Sequence, residues 1–496
     1  MRPKEGETEF QHWRRHNELY GPLSSITVMG QPIVVIHDRD AARFLLEKRS
    51  KSTSSRPHME FGYNMCGFKN ILSVQKFEDS SYVRRRRLIH QHLGTPAASE
   101  RYKGLQEAQS GKLLQRALES PEQLADHIEG FSAAIVLDAT YGYTLEWSDK
   151  TDPVIKLVRQ TLDDMIAAFM PMAWLVDAIP AMRHLPGWLP GASFVGTAKK
   201  WKKTCEDAAS LPFAFVKAQM ERGTHRPSYV SNILESQAGD DDDAENDDDG
   251  GGGGGGSGGG VTKSSKQPPD EEDTKWTALT MYAAGVETTS STLDAFVLAM
   301  VMFPDVQRRA QEEIDRVVGA DRLPSFRDRA DLPYTDNLVT ELLRWFPVLP
   351  MGLAHLSQED FVYGDCLIPG GAYLLPAVWW MCHDPAHYAD PDTFDPDRYA
   401  APRREPDPRG VIFGFGRRIC PGRYFVSSSL FIAVARLLAA FTISKAVDAQ
   451  GREVTPEIKY TVSVTTRPVK FPFKIAVRSA AHATLVQSVQ TTTSSR

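Results

Sequence analysis

The stretch FGFGRRICPG, residues 413–422, decides how this 496-residue chain is read. It sets Cys420, one of only five cysteines, in a run of glycines and arginines. A redox thiol, a nucleophile and a ligand are the three chemistries open to such a residue. Gly414-Phe415-Gly416-Arg417-Arg418-Ile419 lacks the third glycine of the dinucleotide fingerprint and follows no parallel strand. No histidine stands where a protease signature would place one beside a nucleophilic cysteine. The ligand reading suits the surroundings better. Glycines let backbone N–H groups turn toward one sulfur, and a nearby arginine favours a thiolate and any bound anion. Pro421 stiffens the entry to a following helix, whose N-terminal end also favours a thiolate.

The other cysteines, Cys66, Cys205, Cys366 and Cys382, are scattered without a CxxC pair. Neither a disulfide framework nor a zinc site is supported, and the sparse odd count suits a reducing compartment. Cys366 and Cys382 read as small core residues. The formal charge of −6 hides a local excess, since residues 240–249 carry eight acids and the rest of the chain is close to neutral. Such a body has no field suited to nucleic acid, which is excluded as a partner. Residues 239–260, GDDDDAENDDDGGGGGGGSGGG, combine charge repulsion with glycine entropy. They are expected to form a disordered surface insert, not a domain linker, because the chemistry below draws on both sides of them. The opening residues are polar and contain no run of roughly 20 apolar residues, so a soluble or peripheral chain is expected.

Periodicity outlines a mostly helical protein with small peripheral sheets. SSITVMGQPIVVIHD reads as two strands turning at Gly30, followed by a helix that Asp38 could cap. Residues 99–234 are mainly helical in period. A helix of about 27 residues, roughly 40 Å long, ends at Pro304. Another ends at Pro347, short strands follow, and the cysteine loop leads into a last apolar helix. Residues 476–496, rich in serine and threonine, are expected to form a frayed tail.

The long helix carries a polar centre, Glu287-Thr288-Thr289-Ser290-Ser291, between apolar runs. The Thr288 hydroxyl can bond back to the Ala284 carbonyl and open the helix. Gly285 removes a side chain where a flat group could press. Glu341-x-x-Arg344 lies among Leu338, Val339, Leu342, Leu343, Trp345 and Phe346, so a buried bidentate pair is plausible there, with Arg398 of FDPDRY as a third member. The four arginines of YVRRRRLIHQHL need not lie on one face of their helix. His383 and His387, four apart with Pro385 between them, lack the glutamate of a zinc-binding HExxH.

The spacing Phe413-x-x-Gly416-x-Arg418-x-Cys420-x-Gly422 resembles the haem-binding loop of the cytochrome P450 family. Three further segments resemble that family in the same order along the chain. Ala284-Gly285-x-Glu287-Thr288-Thr289 is similar to its oxygen-binding groove, and Glu341, Arg344 and Arg398 to its structural triad. Tyr82 to Arg86 is similar to its Trp-x-x-x-Arg helix, with tyrosine in place of tryptophan. The loop and groove look most like fungal members of the O-methylsterigmatocystin oxidoreductase type. The resemblance implies one domain of cytochrome P450 fold over residues 1–475, with haem b ligated by Cys420 as its metal ligand. It implies a cofactor site formed by Phe413, Gly416, Gly422 and Gly285, with Arg86, His355 and Arg418 on the haem propionates. Glu287 and Thr288 would serve catalysis by delivering protons to dioxygen at the haem. The implied activity is monooxygenation of a hydrophobic organic substrate, in secondary metabolism or xenobiotic oxidation. Thiolate donation favours O–O cleavage, which is why the ligand would be a cysteine. Electrons would come from NADPH-cytochrome P450 reductase, since no flavin or nicotinamide fingerprint is present. Segments 276–284, 348–354 and 460–465, largely apolar, would wall the substrate pocket. The family context implies peripheral membrane contact on the cytoplasmic side of the endoplasmic reticulum. The alternatives are a peroxide-using or rearranging enzyme of the same fold and a non-catalytic haem-binding protein.

Overall fold

Proline and capping residues divide the chain into helices whose buried faces share one core. The structure is a computed structural model and describes residues 6–145, 152–170, 172–244 and 270–489. Counting helices of eight residues or more, α1 is Glu9–Tyr20, α2 Tyr82–Leu93, α3 Lys103–Glu119, α4 Leu124–Tyr141, α5 Pro153–Ala168 and α6 Ser193–Glu221. Then come α7 (Tyr229–Ala244), α8 (Glu271–Met302), α9 (Pro304–Val317), α10 (Pro333–Trp345), α11 (Arg423–Ala440) and α12 (Ala480–Gln487).

The central helix, α8, is 32 residues long, beginning earlier than periodicity suggests. Asp270 caps it by accepting from the Glu272 N–H, and Glu271, Glu272 and Asp273 complement the dipole of its first turn. It is apolar nearly all round because α4, α6, α10 and α11 surround it. Arg423–Ala440 alone has the length and hydropathy of a membrane span among the described residues, but most of its side chains lie in this core.

Three small sheets sit at the periphery. The strands are β1 (Leu23–Val28), β2 (Gln31–Ile36), β3 (His355–Leu356), β4 (Phe361–Tyr363), β5 (Cys366–Ile368), β6 (Tyr373–Pro376), β7 (Phe441–Val447), β8 (Glu453–Val454) and β9 (Phe473–Val477). In the largest sheet, ordered β1-β2-β6-β3, β2 and β6 are parallel and the other pairs antiparallel. Its register sets His355 opposite Leu374. Asp38 caps the following short helix as expected, its carboxylate accepting from the Ala41 N–H at 2.7 Å. This sheet shares a second apolar cluster, including Leu45, Leu46 and Leu374, with Val411 and Phe415 of the cysteine loop. The loop is therefore pinned between the sheet and the helical core.

Three expectations change. Helix α7 continues to Ala244, so the break expected at Gly239 comes later, and the rest of the insert lies outside the described residues. The tail is ordered as far as Val489. Ser479 caps α12, Val486 is fully buried, and the Val489 carbonyl accepts from Gln115. Residues 490–496 lie outside the described residues. Cys382 is buried as expected, but Cys366 is exposed on the two-stranded β4–β5 sheet.

Candidate active site

Two glycines shape the cysteine loop. Gly414 and Gly416 have φ of 78° and 50°, in the left-handed region. A Cβ on Gly416 would stand 2.4 Å from the Leu46 carbonyl oxygen, so no larger residue fits the turn. The Cys420 N–H donates to the Phe413 carbonyl at 2.7 Å and closes the loop. Burial raises the Cys420 pKa, while the Gly422 N–H and the positive charges of Arg86 and Arg423 act in the opposite direction. Arg423 also donates to the Cys420 carbonyl at 3.1 Å. By surface area Cys420 is only partly buried, although protein atoms surround its thiol closely enough for burial to dominate its pKa.

Beside the loop three arginines gather, Arg56 buried and Arg86 and Arg418 half-buried. Arg418 donates to the carbonyls of Ser54 (2.6 Å), Leu72 (3.3 Å) and Gln75 (2.7 Å), and its guanidinium lies 4.1 Å from the Tyr82 ring centre. Arg56 donates to the carbonyls of Ser73, Leu353 and Ala354, and Arg86 to that of Ile419. Among the described residues none of the three pairs with a carboxylate. Glu78 lies within the field of Arg418, but its carboxylate is bonded to Ser55 and Gln358. Burial lowers the pKa of all three, and the charge of Arg418 lowers Arg56 further, as Arg86 does Arg418 and Arg423 does Arg86. Buried cations held only by carbonyl dipoles are costly unless an anion joins them. The chemistry of this cluster fits a ligand bearing two carboxylates, and a nearby thiol fits an iron. Haem b has both features.

His355 is also buried, and its Nδ1–H donates to the Thr53 carbonyl at 2.8 Å. Burial, with Arg56 and Arg418 nearby, lowers its pKa well below the usual value. A ring with its single proton on Nδ1 leaves a lone pair, not a donor, on Nε2. His355 could donate to a propionate only once a bound anion offsets the charges of the two arginines.

On α8, Ala284 is exposed although residues 276–283 are buried, and Gly285, Glu287 and Thr288 are half-buried. Helix α8 packs against α11, the helix that begins three residues after Cys420. The Thr288 hydroxyl donates to the Ala284 carbonyl at 2.8 Å as expected, yet the helix remains continuous. The role expected of Gly285 is corrected. A Cβ there would stand 2.9 Å from Val136 Cγ2 on α4, so the missing side chain makes room for a neighbouring helix, not a cofactor. Glu287 Oε1 accepts from the Thr465 hydroxyl at 2.5 Å.

The triad forms as the spacing suggests. Arg344 donates to both oxygens of Glu341 at 2.8 Å, Arg398 Nε donates to Oε1 at 3.0 Å, and all three side chains are fully buried. The arginines of α2 do divide between faces, Arg84 and Arg85 pairing with Asp273 and Arg86 turning to the cysteine loop. Sequence reasoning missed Arg56 and Arg423, and gave Thr465 only as the end of an expected pocket wall, not as a partner of Glu287. Arg423 follows the motif directly and was open to discovery. Arg56 and Thr465 belong to no local pattern.

A cysteine loop in a helical core, flanked by three arginines that pair with no carboxylate among the described residues, is the chemistry a haem-thiolate protein requires. A sequence model described as Cytochrome P450 matches residues 258–473. The chain is 42% identical over 488 residues to the multifunctional cytochrome P450 monooxygenase af510 of Aspergillus fumigatus, covering 98% of this chain and 87% of that one. It is 42% identical over 489 residues to cytochrome P450 monooxygenase CLM2 of Gibberella zeae, covering 98% and 88%. It is 34% identical to O-methylsterigmatocystin oxidoreductase of Aspergillus flavus, covering 99% and 87%. A zebrafish cytochrome P450 solved with abiraterone shares the fold, with TM-score 0.69 at 21% identity, over 95% of this chain and 100% of that one. This chain belongs to the cytochrome P450 family. It is a haem b monooxygenase of fungal type, an enzyme that uses dioxygen.

Proposed function

We propose that Cys420 ligates the haem iron and that Arg56, Arg86 and Arg418 hold the two haem carboxylates. Phe413, Gly416 and Gly422 shape the loop that presents the sulfur, and residues 1–475 act as one domain. The observation that supports this reading is the cluster of one buried and two half-buried arginines beside a partly buried cysteine, with no carboxylate among the described residues paired to any of the three. His355 fixes the strand behind the cluster through its bond to Thr53 and becomes a donor when the anion is in place.

The haem, when bound, supplies the redox iron at which dioxygen is reduced and split. The protein's part is to bind the substrate beside it and to move protons. Thr288, held against the Ala284 carbonyl, presents its hydroxyl oxygen to the opening on α8 and keeps a water there. Glu287 passes protons to that water. One substrate, one O2, one NADPH and one proton give one oxygenated product, one water and NADP+. When the proton needed for O–O cleavage is not delivered, one NADPH, one O2 and one proton leave as hydrogen peroxide and NADP+. The electrons come through NADPH-cytochrome P450 reductase.

Between α5 and α6 the side chains of Met170, Leu175, Ile179 and Trp188 are exposed, with Arg183 beside them in sequence. Aromatic and basic residues on an apolar surface suit a membrane interface. This segment rests on the cytoplasmic face of the endoplasmic reticulum membrane.

The test is product formed per NADPH consumed, with a reconstituted reductase and a substrate found by haem spin-state shift. Thr288→Ala and Glu287→Gln should still oxidise NADPH, with several-fold less product and more peroxide. Unchanged yield in both variants would remove the pair from proton delivery.

A further inference from the structure

Glu287 is anchored from outside its own helix. Its Oε1 accepts from Thr465, 178 residues away in sequence, at 2.5 Å, a length typical of charge-assisted O–H···O bonds. Among the described residues Oε2 accepts no hydrogen bond, and no lysine, arginine or histidine pairs with Glu287.

The segment that carries Thr465 is built to hold its hydroxyl still. Residues 460–468 close on themselves through the Tyr460–Pro468 bridge, the Thr461 N–H bond to the Arg467 carbonyl (2.9 Å) and the Arg467 N–H bond to Thr461 Oγ1 (3.0 Å). The Thr466 N–H donates to the Val348 carbonyl at 2.8 Å and fixes the hairpin to the segment after α10. Arg467 Nη2 reaches Asp294 Oδ2 at 2.9 Å. Glu287 and Asp294 are seven residues apart, two turns along one face of α8 and about 10 Å in rise. The hairpin is thus fastened to α8 at two points on that face.

We infer that Thr465 is a positioning residue for the Glu287 carboxylate, holding Oε1 so that Oε2 stays free for a proton-carrying water beside Thr288. The inference rests on Glu287 having the proton-delivery role proposed above. Thr465 touches neither substrate nor cofactor in this role. Its hydroxyl restricts the rotamers of Glu287, and the carboxylate then serves one side only.

Two readouts test it. The first is product per NADPH in Thr465→Val, which keeps shape and loses the donor, and in Thr465→Ser, which keeps the donor. Valine should lower the yield at least three-fold with substrate affinity, read by spin-state shift, within two-fold of wild type. Serine should stay within two-fold on both measures. The second is thermal denaturation of Thr465→Val, Glu287→Ala, which removes the acceptor, and the double variant, with Thr465→Ala used if valine gives little folded protein. The double variant should melt no lower than the less stable single variant, because each single change already breaks the shared bond. If Glu287→Gln uncouples turnover but Thr465→Val matches wild type in yield and its melting loss simply adds, the inference is overturned and the proton role stands. If Glu287→Gln leaves yield unchanged, the proton role falls, whatever Thr465 does. Loss of substrate affinity in both valine and serine variants would make Thr465 a pocket wall and overturn the inference.

Discussion

At the scale of single residues, the separation between fold and site is sharpest among the arginines. Arg344 and Arg398 share Glu341 in a fully buried cluster, where Tyr399 adds a hydrogen bond of 2.9 Å. Arg344→Ala would leave much of that carboxylate's charge uncompensated, a loss of about 3–5 kcal/mol. This is a large share of the stability of a typical domain. Little soluble haem-loaded protein is expected from that variant. Arg86 donates only to the Ile419 carbonyl, so Arg86→Ala should fold with near-normal yield and lose haem roughly ten-fold more readily to a haem acceptor. Equal haem retention in wild type and Arg86→Ala would contradict its place beside the cofactor. Cys420, Arg418 and Glu287-Thr288 were legible because each stands in a contiguous motif. Arg56 was not. The carbonyl of its near neighbour Ser54 meets Arg418 across 364 residues, and no spacing rule reaches that far. Gly285 was misread for a related reason, since a glycine in a helix does not reveal which neighbour needs the room.

At the scale of elements, α1 shows how a helix can depend on neutral histidines. Phe10 packs on Trp379 and Tyr460, while His12 and His16 are buried on the same helix near His37 of the sheet. Burial lowers the His37 pKa from 6.5 to about 4, with His16 adding to the effect, and burial lowers His12 and His16 as well. A histidine with a depressed folded pKa contributes stability above its unfolded value, and that contribution is lost as pH falls from about 6.5 toward 4. Melting temperature should therefore drop across this window. In His37→Gln the drop should be visibly shallower, and equal slopes would show that α1 is not held this way. Asp294 runs the other way. Burial raises its pKa from 3.8 to about 6 against the pull of Arg467, so its ionisation opposes folding as pH rises through that range. Most long helices were legible from period, proline and caps. The order in α12 was not, because its hold on α3 comes through Val486 and the Val489 carbonyl, contacts that composition does not reveal.

At the scale of the whole molecule, the sequence pattern foresaw a helical core with peripheral sheets around one cysteine loop. It did not show how two apolar clusters both take in residues of that loop, because Val34 and Ile36 of β2, which share a cluster with Phe415, lie hundreds of positions before it. The exposed segment between α5 and α6 gives a property of the assembled surface. Purified protein should float with anionic phospholipid vesicles, and Trp188→Ala with Leu175→Ser should reduce the bound fraction several-fold without changing the haem spectrum. Equal flotation would place the contact elsewhere. The central claim, that Cys420 is the iron's thiolate ligand, is tested most directly by the absorbance of the reduced, carbon-monoxide-bound haem. Wild type should give the red-shifted Soret band of a thiolate complex, and so should each of Cys66, Cys205, Cys366 and Cys382 changed to serine. Cys420→Ala, purified with haem, should give the band of a complex without sulfur. A thiolate band persisting in Cys420→Ala would contradict the account.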